Sequence, residues 1–408
     1  MTVTIDRDRL VDWASKAIAI PSFTGSEEEL AGFVAATFEE LGLQVQRQQV
    51  EEGRANVLGT FAGAGGGPSL MFNGHLDTSY SGREPWLAHV PGFQPEPFVR
   101  EGRLYGLGIS NMKGALACYV EALRALLDAG VRLCGDVLVA AVCGEIEKTQ
   151  YGDAQGAEYR GYAAGTRHLV THGGLADMCI LGEPTEAKVV LGHFGSLWVR
   201  ISTRGNFIHT AFSEGKRDQN SILRMREVLD AVLDWIPSWE EDEANAYRGA
   251  KAIVNVGALQ GGFGWRVSRT PHRTDLFLDV RVPPTKPMPV ARREVLEMVR
   301  GLAERFPDYG VEGEVYVTAP GAEIAEDHPL VAAIDESHAE VFGSAPERDV
   351  TRWFSDASAL TRYGVPTVNY GTSTGLLDTE YGENLEIDGL VKMAHVYALA
   401  AKRVCGVA

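Results

Sequence analysis

Short apolar runs alternate with helical patterns at both ends of this 408-residue chain. Runs such as 69–72, 136–142 and 178–181 are too short for ordinary helices, and the segments between them carry apolar residues at helical spacing. This order is typical of a buried sheet covered by helices. The sequence therefore predicts an α/β fold for residues 1–187 and 321–408.

A second order of elements interrupts this pattern between residues 188 and 320. Four strand-like and two helical segments follow one another there as βαββαβ: 197–203, 221–235, 252–258, 275–282, 290–305 and 311–317. We expect an inserted α+β domain, with a small sheet and both helices on one face. A chain of 408 residues with 45% hydrophobic content can fill two cores.

Composition argues against several classes of function. A formal net charge of −17 disfavours binding to nucleic acid and to anionic membrane surfaces, since both need a basic face. The sequence has no apolar run of membrane-spanning length, and its first residues do not read as a secretion signal. The five cysteines include no CxxC pair, which predicts reduced thiols. We therefore expect a cytoplasmic protein.

Polar side chains follow the predicted buried strands. His75 and Asp77 follow one strand, Glu145 and Glu183 each follow another, and Asn111 lies at the start of a helix. Open α/β sheets place their sites at the carboxyl ends of strands. Imidazole and carboxylate groups are common metal ligands, and Asp77 could hold the imidazole in one tautomer. Taken alone, His75 could also be a hydrogen-bonded turn residue, but the other groups favour a metal site.

The stretches around these residues resemble the motifs of one metallopeptidase family. They are Asn73-Gly74-His75-Leu76-Asp77, Asn111-Met112-Lys113-Gly114, Gly144-Glu145-Ile146-Glu147 and Gly182-Glu183-Pro184. The family contains aminoacylase, acetylornithine deacetylase, succinyl-diaminopimelate desuccinylase and the glutamate-releasing carboxypeptidases. The resemblance covers essentially the whole chain. It implies a zinc-peptidase-like catalytic domain with a mixed sheet flanked by helices, over residues 1–187 and 321–408, and a dimerisation or lid domain over 188–320.

The resemblance also implies roles for individual residues in a site that holds two divalent metals in the family. His75 and Glu183 match ligands of one metal. Glu145 matches the general base that activates water, and Asp77 matches the carboxylate that supports the histidine. Asn111 stands where the family has an aspartate that bridges the two metals.

Two further departures concern the other metal. Ile146 stands where the family has a glutamate ligand, and Thr379 stands where it has a late histidine. The chain thus lacks both private ligands of one metal and keeps those of the other. We expect a single divalent ion, Mn or Zn, held by His75, Asn111 and Glu183. Four acidic residues could instead replace a missing ligand: Glu147, Asp378, Glu380 and Glu383.

The inserted domain and one long loop supply the remaining candidates. The resemblance implies that His209 reaches across a homodimer to stabilise negative charge on the substrate, and that Arg281 either binds a substrate carboxylate or forms a structural ion pair.

Residues 148–162 form a longer loop than the family usually has. Its side chains Tyr151, Tyr159 and Arg160 could wall a pocket for a flat carboxylate, although tyrosines on a surface loop can also lack a role. The motif Ser355-Asp356-Ala357 resembles a family motif near the active site, which implies a supporting role for Asp356.

These observations predict a metal-dependent hydrolase. Its substrate would be a small molecule that bears a carboxylate and a C–N bond of the amide type, such as an N-acyl amino acid. One alternative is a hydrolytic deaminase of an aromatic amino acid, which the reduced metal site and the tyrosines would suit. The other alternative is a catalytically silent binding or regulatory protein that kept the fold.

Overall fold

The computed structural model describes residues 2–373 and 380–408. The helices of this part are α1 (Arg7–Ala19), α2 (Glu28–Glu40), α3 (Gly114–Asp128), α4 (Ala164–Thr171), α5 (Ser221–Glu240), α6 (Met288–Arg305), α7 (Pro329–Phe342), α8 (Ala357–Arg362) and α9 (Ile387–Cys405). The strands are β1 (Gln44–Glu51), β2 (Arg54–Phe61), β3 (Leu70–His75), β4 (Phe98–Arg100), β5 (Arg103–Tyr105), β6 (Val137–Val142), β7 (Met178–Leu181), β8 (Val189–His193), β9 (Gly195–Arg204), β10 (Ala246–Tyr247), β11 (Ala250–Lys251), β12 (Val254–Gly261), β13 (Arg273–Val282), β14 (Glu312–Ala319), β15 (Ala322–Glu323), β16 (Arg348–Thr351), β17 (Thr367–Asn369) and β18 (Asn384–Glu386).

The largest sheet is mixed, with the order β1-β2-β6-β3-β7-β17-β8-β15 and with β16 beside β8. Its central strands β6, β3, β7 and β17 run parallel, while β2 and β8 pair antiparallel to their neighbours. Parallel strands end at the same edge, so the loops after β3, β6 and β7 meet there. The predicted α/β class with a mixed sheet flanked by helices is confirmed.

The central strands of this sheet are buried on both faces, which explains why they read as apolar runs rather than as alternating patterns. Phe72 packs with Tyr119 of α3 and Tyr397 of α9 on one face. Its neighbour Met71 belongs to the core on the other face, which includes Leu169 of α4. Successive side chains of a strand point to opposite faces, and a strand covered on both sides needs apolar residues at every position.

A second compact unit comprises residues 193–322 and 350–354 and has its own core. Its sheet has the order β12-β13-β9-β14, with all neighbours antiparallel. Helices α5 and α6 contribute to one core with alternate residues of β9, namely Leu197, Val199 and Ile201. The predicted α+β insert with the order βαββαβ is confirmed, with the hairpin β10-β11 as an addition. The first unit comprises 1–192, 323–349 and 355–408.

Two further features concern the cysteines and the character of the helices. All five cysteines are free, and four of them are buried: Cys118, Cys143, Cys179 and Cys405. Among the described helices, none combines the length and the apolar character needed to cross a membrane.

Candidate metal centre

Three ionisable side chains come together at the carboxyl edge of the large sheet. His75 is the last residue of β3, Glu145 follows β6, and Glu183 follows β7. The side chains of all three are almost completely buried. The sequence places them on neighbouring strands of one parallel set, and the sheet order then brings them together.

The imidazole of His75 is held in one tautomer. Its Nδ1 lies 2.8 Å from the main-chain oxygen of Asp77, which can only accept a hydrogen bond. Nδ1 therefore carries the proton in the neutral ring, and Nε2 keeps the lone pair that a metal needs. Nε2 lies 2.9 Å from Oδ1 of Asn111.

Asp77 supports the histidine in a different way from the one the sequence predicts. Its main-chain oxygen, rather than its carboxylate, accepts the Nδ1 hydrogen bond, and the nearest carboxylate oxygen is 3.6 Å from Nδ1. The carboxylate instead accepts from the main-chain N–H groups of Glu145 and Ile146, at 3.0 and 3.3 Å, and from Thr24 Oγ1 at 2.9 Å. Asp77 thus positions the segment that carries Glu145.

The donor atoms suit a divalent ion. Nε2 of His75 lies 3.8 Å from Oε2 of Glu145 and 3.8 Å from Oε1 of Glu183, and these ligand atoms all lie within 4.8 Å of one another. Among the described residues, the buried Oε1 of Glu183 has no hydrogen-bond partner. A buried carboxylate oxygen without a donor is costly unless a cation meets it. One imidazole, carboxylates and an amide oxygen form a donor set that Zn or Mn accepts.

The pKa shifts of the three side chains also indicate that the cluster needs positive charge. Burial, followed by the charges of Glu183 and Asp356, raises the pKa of Glu145 well above its ordinary value. Burial raises the pKa of Glu183 to about 7. Burial lowers the pKa of His75, but neighbouring carboxylates, Glu183 first, outweigh this effect, and the net shift is upward. Without a cation, the cluster therefore holds protons.

Asp356 adds a fourth acidic group to this region. It is fully buried, its Oδ2 accepts from Thr166 Oγ1 at 2.7 Å, and its Oδ1 has no hydrogen-bond partner. Thr166 Oγ1 also lies 3.4 Å from Nδ2 of Asn73, two residues before His75. Burial raises the pKa of Asp356 to about 6. The motif around Asp356 indicated a supporting residue, and the structure gives that residue a place in the polar layer between β3 and α4.

The possible replacement ligands lie elsewhere or have other partners. Oε2 of Glu383 accepts from Gly108 N at 2.9 Å and from Ser110 Oγ at 3.0 Å, so it holds the turn before Asn111. Glu147 and Glu380 do not belong to the group of potential ligands found among the described residues. Asp378 and Thr379 lie outside the described residues.

The loop 148–162 is built directly on the segment that carries Glu145. Main-chain hydrogen bonds pair the two ends of the loop, from Ala163 N to Glu145 O, from Tyr162 N to Ile146 O and from Gly161 N to Lys148 O. The two ends of this long loop are therefore tied together as a short stem.

The fully buried Arg54 holds the far part of this loop. Its Nη1 donates to Arg160 O at 2.8 Å and to Ala157 O at 3.0 Å. Tyr151 and Tyr159 are half-buried on the loop, while the exposed Arg160 forms an ion pair with Glu51. The guanidinium of Arg160 is thus already engaged by a carboxylate of the protein.

Two predicted residues belong to the second unit. His209 is half-buried, and its Nδ1 accepts from Ala211 N at 3.1 Å. Main-chain bonds tie its segment to residues 268–270, for example Thr210 N to Ser268 O at 3.0 Å. Nη2 of Arg281 forms an ion pair with Asp279 at 2.7 Å. This is the structural ion pair that the sequence left open as an alternative for Arg281.

Sequence reasoning missed the residues that hold the ligands in place. Local sequence singled out none of Thr24, Thr166 and Arg54. Their partners lie 53, 190 and 27 residues away, namely Asp77, Asp356 and Glu27. Local spacing carries no signal for contacts over such distances. For Arg54, a charged residue at the start of a short strand-like run was the one available hint.

The fold and this acidic, histidine-bearing cluster are those of a divalent-metal hydrolase. The sequence profile of Peptidase family M20/M25/M40 matches residues 71–403, and the chain belongs to that family. The chain is 27% identical to succinyl-diaminopimelate desuccinylase of Gluconacetobacter diazotrophicus, over 96% of each sequence. It is 28% identical to acetylornithine deacetylase of Photorhabdus laumondii, over 78% of this chain and 79% of the relative.

A solved structure shows the same fold. The tripeptidase of Staphylococcus aureus superposes with a TM-score of 0.77 at 19% identity, over 98% of this chain and 99% of the tripeptidase. Together with the family, these relatives confirm the prediction of a metal-dependent hydrolase that acts on C–N bonds of the amide type. They do not favour the deaminase or the silent protein.

Proposed function

We propose that the chain removes the acyl group from a small N-acyl amino acid with a single divalent ion, Zn or Mn. The observation that carries the proposal is the buried group of His75, Glu145 and Glu183. Within this group, the carboxylate oxygen Oε1 of Glu183 accepts no hydrogen bond from the described residues. The substrate class is supported by the two relatives, which by name remove a succinyl and an acetyl group.

Charge supports one ion rather than two. The resemblance predicts an aspartate at position 111 and a glutamate at 146, whereas this chain has neutral Asn111 and Ile146. These two exchanges remove two negative charges, the same amount of charge that one divalent cation carries. Two cations at short separation repel strongly unless carboxylates lie between them. If one ion and two carboxylates are lost together, the net charge of the site does not change.

Each residue near the substrate has a distinct task in this proposal. His75, Asn111 and Glu183 would hold the ion, which would supply a Lewis acid that polarises the carbonyl group and acidifies water. Glu145 takes the proton from the attacking water and later gives it to the departing nitrogen. A carboxyl whose pKa is raised by burial and by neighbouring acids is suited to hold that proton between the two steps.

We also propose a homodimer formed through the second unit. In the described sheet β12-β13-β9-β14, β12 is an edge strand, and its Leu259 is exposed. The loop after it exposes Phe263, Trp265 and Val267 by 59%, 78% and 82%. Exposed edges and apolar side chains favour association, and the loop is hydrogen-bonded to the segment that carries His209. The occupant is a second copy of the chain, whose site His209 would complete.

The location is proposed to be the cytoplasm. All five thiols are free, and four are buried, which is usual for proteins of a reducing compartment. Cell fractionation of the native host checks this assignment.

Metal analysis joined to a substrate panel tests the function. We expect one tight ion per chain and release of free amino acid from N-acetyl or N-succinyl amino acids. Two ions would overturn the single-ion proposal. Release of ammonia from aromatic amino acids, with no deacylation, would overturn the substrate class.

Mixing two inactive variants tests the dimer. Glu145→Gln removes the general base, and His209→Ala removes the histidine given to the other subunit. In a mixed dimer, one of the two sites has both Glu145 and His209. Activity restored on mixing supports the role of His209 across the interface. A monomer in light scattering, or no restored activity in a dimer that exchanges subunits, would contradict it.

A further inference from the structure

The two arginines predicted to hold a substrate carboxylate already have acidic partners. Arg160 Nη1 lies 2.6 Å from Glu51 Oε2, and Arg281 Nη2 lies 2.7 Å from Asp279 Oδ2. A substrate carboxylate would have to compete with these pairs. An N-acyl amino acid therefore needs a different cation near Glu145.

Lys148 lies three residues after Glu145 on the same loop, and the acid whose charge acts on it most is Asp77, which also binds the main chain of Glu145. It is half-buried, and among the described residues its ammonium group has no hydrogen-bond acceptor and no carboxylate oxygen within 4.0 Å. Burial lowers the pKa of Lys148, and surrounding acids oppose that shift. A partly desolvated ammonium without a partner gains more from an anion than a fully hydrated one.

The acids that surround Lys148 are mostly engaged by other donors. Asp77 accepts three hydrogen bonds, and Glu27 is paired with Arg54. Glu84 accepts from the main-chain N–H and the hydroxyl of Ser81 through Oε1, while its buried Oε2 has no hydrogen-bond partner among the described residues. Glu158 is exposed to solvent. These carboxylates favour a positive charge at Lys148 without forming a contact that would exclude a ligand.

The backbone at Lys148 is fixed. Its N–H donates to Ile146 O at 2.7 Å, and its carbonyl accepts from Gly161 N at 3.2 Å in the stem of the loop. A Cβ at Gly161 would lie 1.8 Å from Ile146 O, so the two ends of the loop pack in direct contact. The segment that carries the general base thus also fixes the start of the lysine side chain.

We propose that Lys148 binds the carboxylate of the N-acyl amino acid and so selects for acidic substrates. This inference rests on the proposed function, because it assigns a specificity residue to the same site. The ammonium is a point charge on a flexible stem, which can meet one carboxylate oxygen after the substrate enters.

The test compares each acid with its uncharged carboxamide. For Lys148→Met, we expect the KM of an N-acetyl amino acid to rise about tenfold or more, with kcat little changed. The KM of the matching N-acetyl amino acid amide should not change. Lys148→Arg keeps the charge and should restore most of the discrimination. Lys16→Met is the matched control, since Lys16 is already paired with Asp12 at 2.7 Å.

Binding separates this proposal from the proposed function. Calorimetry in the Glu145→Gln background measures the affinity for the same acids and amides without turnover. If the wild type hydrolyses no member of the panel, the proposed function fails, while a loss of acid binding in Lys148→Met still supports the anchor. Equal effects on acid and amide would overturn it, as would a Lys148→Met variant that matches its parent protein in both measurements.

Discussion

Two regions of the first unit bury charge in opposite ways. Around Arg54, every guanidinium nitrogen has an acceptor: Nε and Nη2 donate to Glu27 at 2.9 and 2.6 Å, and Nη1 donates to Glu51 at 2.6 Å. Around His75, buried carboxylates outnumber cations, and oxygens of Glu183 and Asp356 have no donor.

The difference separates a structural cluster from a functional one. A buried ion pair is tolerated when opposite charges and hydrogen bonds compensate the loss of water. The Arg54 cluster is complete in the chain itself and ties the loop 148–162 in place. In the proposed function, the His75 cluster is complete only with a cation from outside, which is how a binding site for a divalent ion differs from an internal ion pair.

The largest expected effect comes from a change that removes the general base of the His75 cluster but keeps its metal ligands. Glu145→Gln keeps the shape of the side chain but cannot take a proton, so activity should fall about 10²- to 10⁴-fold while metal content stays the same. Steady-state kinetics and metal analysis check this. Glu147→Gln, two residues along, is the control and should change little. Loss of metal in Glu145→Gln would show that Glu145 is a ligand rather than the base.

The next effect breaks the structural cluster. Arg54→Met leaves Glu27 buried without its cation, and the free energy of unfolding should fall by about 3–5 kcal/mol. Arg47→Met removes the exposed pair with Glu28 and should cost about 0–1 kcal/mol. Urea denaturation of the metal-free proteins measures both. Equal effects would mean that burial does not distinguish these two pairs.

A smaller effect tests how the negative charge around the ion sets its affinity. Asn111→Asp adds a carboxylate next to His75, so affinity for the first ion should rise about tenfold. The number of ions should stay at one, because Ile146 offers no ligand. Competition with a chelating dye and metal counting check both statements. Two ions per chain would show that position 111 alone decides the number.

The smallest effect is a pH dependence that only the functional cluster should show. The folded-state pKa values of Glu183 and Asp356, about 7 and about 6, exceed their ordinary values of 4.5 and 3.8. The native metal-free protein then binds more protons than the unfolded chain, so its stability should fall as pH rises from about 4 to about 7. Added Zn or Mn should restore that stability. Melting temperatures that follow the same pH curve with and without metal would contradict this.

Much of the candidate centre follows from local sequence. His75, Glu145 and Glu183 each follow a short apolar run, and such runs are readable because a strand buried on both faces carries mostly apolar residues. The exchanges at 111 and 146 are equally visible. Parallel strands end at one edge, so the sequence also predicted that these residues meet.

Only the tertiary structure decided how the site is held and which cations are free to bind. Asp77 turned out to position Glu145 through its carboxylate and His75 through its main-chain oxygen. Arg160 is paired with Glu51, 109 residues away, while Lys148 is not paired among the described residues. Hydrogen bonds and ion pairs between distant segments leave no periodic pattern in a sequence, because they depend on how the packed layers align. The chain therefore specifies its ligands locally, whereas the fold determines their orientation and their charge balance.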